Sequence, residues 1–157
     1  MKNKELLLKY AIYYLSKYSS SKKNLDFILK KKIRKISDDK RERFELYNEI
    51  ELIIEKLEKK NFINDENYAL RKIQYLLLQG KSKNFIKQYL AQKGLEKETI
   101  NKQTELTYNV DVNIEKESAM KFVKKKNLLN KDISYEKKLA KIARAGFSYE
   151  IAKDLLK

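Results

Sequence analysis

The 157-residue chain has no cysteine, histidine, tryptophan or proline, and only three glycines. Without cysteine there is neither a disulfide frame nor a thiolate for catalysis or metal ligation. Without histidine, the common zinc sites, the Ser–His and Cys–His nucleophile systems and the usual acid–base group of neutral pH drop out. Three glycines are too few for a glycine-rich phosphate loop. No apolar run approaches the roughly 20 residues needed to span a bilayer. The start, Met1 to Leu8, turns from basic to apolar, is interrupted by Lys9 and has no small-residue cleavage site. It reads as a helix rather than a signal peptide, and the expected location is the cytoplasm.

What is abundant is positive charge. Lys and Arg number 37 against 22 Asp and Glu, giving a net charge of +15 and a pI near 9.7. Such a balance points toward a polyanionic partner. A compositional origin stands beside it. Only Arg34, Arg41, Arg43, Arg71 and Arg144 are arginines, and the rich Lys, Asn, Ile and Tyr content is what an AT-rich coding sequence yields. The charge is also uneven. Residues 1–40 carry 12 basic and 4 acidic groups, whereas residues 41–60 carry five basic and six Glu.

Apolar residues recur at helical spacing throughout. The first helix is expected over about 4–18 with Leu7, Tyr10, Ala11, Tyr14 and Leu15 inward, and one of Ser19, Ser20 and Ser21 should cap the next. That second helix carries Leu25, Ile28, Leu29 and Ile33. A polar loop over 36–43 precedes a helix over about 44–60 with Leu46, Ile50, Ile53, Ile54 and Leu57 inward. Further on, a weaker helix over about 96–105 is anchored by Ile100, with Leu106 as a second apolar contact, and gives way to a linker at 107–112. A helix follows to about 126, then a loop at 127–133 with two leucines tucked in. The last two helices are expected to be capped by Ser134 and Ser148.

The most informative stretch is Lys60 to Leu95, which reads as three helix junctions in a row. Phe62 and Ile63 precede a start signal in which Asn64 caps, and Asp65 and Glu66 place negative charge at the positive helix end. Ala69, Ile73, Leu76 and Leu77 form one stripe, and Gly80 ends the helix. Ser82 then caps a short helix with Phe85, Ile86, Tyr89 and Leu90, which Gly94 closes ahead of Leu95. The string Phe62-Ile63-Asn64-Asp65-Glu66-Asn67-Tyr68-Ala69, at this distance from Gly80 and from Lys93-Gly94-Leu95, resembles the central repeat of the RecX family, bacterial regulators of the RecA recombinase. Two departures stand out. Asn61 sits where that family often has glycine, which Asn tolerates because it also adopts the left-handed cap. Lys32 stands where the corresponding glycine of the first unit would be.

Gly94-Leu95 and Gly146-Phe147 occupy matching places after Leu90 and Ile142, which suggests a unit repeating about every 50 residues. Together with the resemblance, this predicts an all-α chain, an elongated, curved array of three tandem three-helix repeats over 1–60 (the degenerate one), 61–107 and 108–157.

No enzyme reading emerges. Asp38-Asp39 lie in a charged loop without the apolar surroundings that split carboxylate pKa values, and Asp65-Glu66 belong to a helix start. No cofactor is implied. The candidate binding residues are Arg71, Lys72, Lys81, Lys83 and Lys87 in the centre, with Lys124, Lys125, Lys126 and Arg144 as a second group. Each is also explained as a solvated helix face, and Lys124–Lys126 as favourable charge at a helix C-terminus. Tyr10, Tyr13, Tyr14, Tyr75 and Tyr89 lie on or beside apolar stripes, so most should pack with the hydroxyl at the rim rather than stack on bases. The resemblance implies a monomer that lies in the groove of the RecA–single-stranded-DNA filament and lowers ATP hydrolysis, strand exchange and coprotease activity. The alternative is a basic helical-repeat protein that binds DNA, duplex included, without a recombinase.

Overall fold

The structure, a computed structural model, describes residues 2–157. Met1, where the first repeat was expected to begin, lies outside the described residues. Those residues form nine helices and no strand: α1 (Lys2–Lys17), α2 (Lys22–Ile36), α3 (Lys40–Lys59), α4 (Asp65–Leu78), α5 (Lys83–Gln92), α6 (Lys97–Val110), α7 (Ile114–Lys125), α8 (Tyr135–Arg144) and α9 (Tyr149–Leu155). The expected all-α, helical-repeat fold class is what is found. No helix among the described residues is long and apolar enough to cross a membrane.

Two compact units can be described separately. The first comprises the chain up to Tyr68 together with Lys93–Leu95. In it α1, α2 and α3 pack on one another around Leu7, Ala11, Leu25, Leu29, Ile33, Leu46, Ile50, Ile53, Leu57 and Ile63. The second comprises Ala69–Gln92 and Glu96–Lys157. There α5 packs on α6, while α7, α8 and α9 enclose Ala119, Val123, Leu128, Leu139, Ile142, Phe147, Ala152 and Leu155. Each fully buried Leu or Ile contributes about 1.5–3 kcal/mol.

Several boundaries differ from expectation, each for a local reason. α3 starts at Lys40 because the Asp39 carboxylate accepts the N–H groups of Arg41 and Glu42, both at 2.8 Å, so the polar loop shrinks to 37–39. α2 passes Lys32 without a break and reaches Ile36, giving 15 residues where α5 and α8 have 10 each. α6 runs on to Val110, leaving a linker only at 111–113. Ile100, the expected anchor of that helix, is buried, whereas Leu106, expected as its second apolar contact, is exposed. Its place in the interior is taken by Gln103 and Thr104, the latter satisfied by its own helix through Oγ1 to the Ile100 carbonyl at 2.7 Å. Of the two leucines after α7, Leu128 is buried and Leu129 is not.

α3, α4 and α7 end alike. The second residue past each helix is left-handed, Asn61 at φ 59°, Gly80 at φ 72° and Asn127 at φ 50°. The next N–H then reaches back to the last turn, from Phe62 to Leu57, Lys81 to Leu76 and Leu128 to Val123, at 2.9–3.0 Å. Asn61 and Asn127 thus serve in the place that Gly80 fills after α4. Gly80 is more constrained, because a Cβ there would stand 2.8 Å from the Phe122 backbone nitrogen.

One hydrogen-bonded device occurs twice. In the first unit, Ser21 Oγ accepts the Asn24 N–H at 3.2 Å, capping α2, and donates to the Lys93 carbonyl at 2.8 Å. In the second, Ser82 Oγ accepts the Phe85 N–H at 3.1 Å, capping α5, and donates to the Ala145 carbonyl at 2.8 Å. Both carbonyls belong to the residue before a positive-φ glycine, Gly94 and Gly146. Space demands glycine at 146, since a Cβ would collide with Ser82 Oγ. Ser134 caps α8 through the Lys137 N–H at 3.3 Å and is exposed.

The two kinds of cap should therefore differ in energy. Ser82→Ala is expected to cost about 2 kcal/mol, because it removes the cap and strands the Ala145 carbonyl. Ser134→Ala should cost about 0.5–1 kcal/mol, the loss of an exposed cap alone. Urea unfolding of the two variants checks the order.

Candidate functional site

The family-like motif at the start of α4 is structural. Ile63, Tyr68 and Ala69 are buried, while Phe62 is half exposed. Asn64 Oδ1 accepts the Asn67 N–H at 3.0 Å, the cap expected from sequence. Asp65 does more than meet its own helix dipole. Its Oδ1 accepts the Lys22 N–H, the first of α2, at 2.8 Å. Glu115, in the first turn of α7, does the same for α5, with both carboxylate oxygens 3.1–3.2 Å from the Lys83 N–H. Serine and carboxylate together occupy the leading N–H groups of α2 and α5. The α5 N-terminus is accordingly no open anion site.

All nine candidate binding residues fall in the second unit. Arg71 and Lys72 lie on α4, Arg71 exposed and Lys72 half-buried with its ammonium 5.7 Å from the Tyr75 ring centroid. Lys81, in the α4–α5 turn, sits 4.6 Å over Phe85. Lys83 opens α5 and lies 4.8 Å over Tyr108. Lys87 reaches Asn101 Oδ1 at 3.4 Å. Lys124, Lys125 and Lys126 are exposed at the end of α7, where Lys126 is the cap residue, and Arg144 is exposed at the end of α8. Three of the five central cations are thus paired with aromatic rings, a cation–π arrangement that the charge pattern alone did not reveal. Among the tyrosines, Tyr10, Tyr14 and Tyr89 are half-buried as expected, whereas Tyr13 and Tyr75 are exposed.

Lys83 also belongs to a polar cluster missed in the sequence. Burial, followed by the nearby Glu115 carboxylate, pushes the Tyr108 phenol well above its ordinary pKa, and its hydroxyl makes no hydrogen bond of good geometry. Burial also raises Glu115 above 4.5, against the opposing pull of the Lys83 N–H, the Tyr108 hydroxyl and the Lys83 charge. The three residues are 25 and seven positions apart in the chain, and no local pattern links them.

Comparison with known proteins places this geometry. Residues 64–102 match the family described as RecX, second three-helix domain. Over 155 residues, 93% of this chain and 81% of its relative, the sequence is 32% identical to the regulatory protein RecX of Myxococcus xanthus. Among solved structures, RecX from Lactobacillus salivarius is similar with a TM-score of 0.72 at 24% identity, covering 99% of this chain and 95% of that one. A second crystal structure, of a regulatory protein RecX, gives 0.70 at 20% identity, covering 97% and 70%.

The Glu115 shift has a testable sign. A carboxyl whose pKa is higher folded than unfolded keeps its proton longer in the folded state, so stability falls as pH rises from the unfolded value near 4.5 through the raised one. Glu115→Gln removes that loss and leaves an oxygen to accept the Lys83 N–H. Relative to the unaltered protein, the variant should gain stability on going from a pH below 4.5 to neutrality, measured as the shift in urea midpoint.

Proposed function

The chain belongs to the RecX family, and on that premise we propose that it is a non-catalytic, cytoplasmic, monomeric regulator of the RecA recombinase. It binds the RecA–single-stranded-DNA filament and lowers ATP hydrolysis, strand exchange and coprotease activity. The observation that carries the reading is the 32% identity to a regulatory protein RecX along most of both chains. The repeat architecture supports it. A regularly repeating ligand such as a filament offers several equivalent sites, and linked weak contacts gain effective concentration. The mechanism that suits these features is obstruction. A helical array seated along the filament denies space to incoming duplex and to coprotease substrates, and resists the subunit movements that accompany nucleotide turnover. Two groups of cations are offered as contacts with phosphates or acidic protein surface: Arg71, Lys72, Lys81, Lys83 and Lys87, and Lys124 to Lys126 with Arg144.

ATP hydrolysis by the cognate RecA on single-stranded DNA tests the proposal. The protein is titrated well below the recombinase concentration, with an unrelated single-strand-dependent ATPase in parallel. Selective inhibition of RecA is expected. Equal loss in both assays, rising with DNA coverage and steeply reduced by salt, would replace this reading with that of a basic DNA-binding protein that needs no recombinase.

A further inference from the structure

The outward face of α4 joins an exposed ring, an exposed leucine and basic side chains. Arg71, Tyr75 and Leu78 fall at i, i+4 and i+7 and so form one stripe. Tyr75 is 55% and Leu78 69% exposed, with Arg71 also in solvent. The Lys72 ammonium stands beside the Tyr75 ring. No carboxylate occurs between Glu66 and Glu96, a span with six basic residues. A face kept only for solubility mixes both signs, as the Glu-rich α3 does, whereas the α4 face carries one sign of charge. Tyr149 shows the contrast. Its ring is just as exposed and has Lys153 4.5 Å from its centroid, but Glu150 and Asp154 lie on the same short helix.

We propose that the Arg71–Tyr75–Leu78 stripe of α4 is a single-strand-selective nucleic-acid contact, in which Arg71 and Lys72 meet phosphates and an unpaired base stacks on Tyr75 against Leu78. This deepens the filament reading by assigning its nucleic-acid side to one helix face. The occupant follows from chemistry. A duplex offers phosphates but keeps its base faces stacked inside, so it engages the cations and leaves the ring unused. An unpaired strand offers both phosphate and a free base face, and base–aromatic stacking tolerates any sequence. An acidic protein surface would meet the cations without using the ring.

Fluorescence anisotropy with a labelled oligothymidylate and a labelled duplex of equal length, with no recombinase present, tests this separately from the regulatory role. Tyr75→Ala should weaken single-strand binding by roughly five- to a hundredfold and leave duplex binding within about twofold. Tyr75→Phe should retain single-strand binding, and Tyr149→Ala should change neither. Arg71→Ala should weaken both and reduce the salt slope by about one. Because Tyr75 is exposed, these variants keep the fold, which circular dichroism and the thermal midpoint verify. Equal loss on both DNAs with Tyr75→Ala, no loss on either, or no single-strand binding by the unaltered protein overturns the proposal. If DNA binding is intact but Tyr75→Ala loses DNA-free binding to the recombinase, the stripe is a protein-docking face instead. Recombinase inhibition is read on the filament and strand selectivity on DNA alone, so the two readings fail independently.

Discussion

A buried serine hydroxyl has one proton to give and lone pairs to fill, and the repeats of this chain depend on both being used. A helix N-cap needs only the acceptor. Once the cap is buried, the proton must also find a partner, because an unsatisfied buried polar group costs roughly as much as a cap contributes. At the far end of a helix the last carbonyls face the mirror problem. Ser21 and Ser82 resolve the two together, each tying a helix start to the carbonyl before a glycine turn 72 and 63 residues away. The glycine follows from the serine, since at Gly146 the hydroxyl occupies the space that a side chain would need.

The carboxylates of Asp65 and Glu115 complete these junctions at different electrostatic cost. Both accept the first N–H of a helix, where negative charge is favoured. Glu115 does so beside the buried Tyr108, where desolvation outweighs what its hydrogen bonds and Lys83 supply. The second junction is therefore held by a group that is uncomfortable in its charged form. Its carboxylate nonetheless joins the start of α7 to the start of α5.

How much of this was legible in sequence depends on the range of the interaction. Caps act over three residues, so Asn64, Ser82, Ser134 and Ser148 were readable, as were the glycine stops and most of each buried stripe. Asp39 was overlooked as a cap, which misplaced the start of α3. Thr104 goes inside while Leu106 stays exposed because the Thr104 hydroxyl bonds its own helix, which hydrophobicity alone does not register. Asn127 escaped notice because its left-handed turn has no glycine to mark it. The second bonds of Ser21 and Ser82 could not be found, since nothing local records a partner so far along the chain. In the candidate surface, the cations were legible as residue types. Their aromatic partners and the exposure of Tyr75 required the fold.

α2 runs unbroken past Lys32 to Ile36 and so ends differently from α5 and α8. Ser21 at its start bonds the Lys93 carbonyl before Gly94, while its own end at Ser37 stays extended and needs no glycine. The turns after α5 and α8 do carry one, at Gly94 and Gly146. In the language of sequence drift, the end of α2 escapes the glycine requirement that space imposes at Gly146.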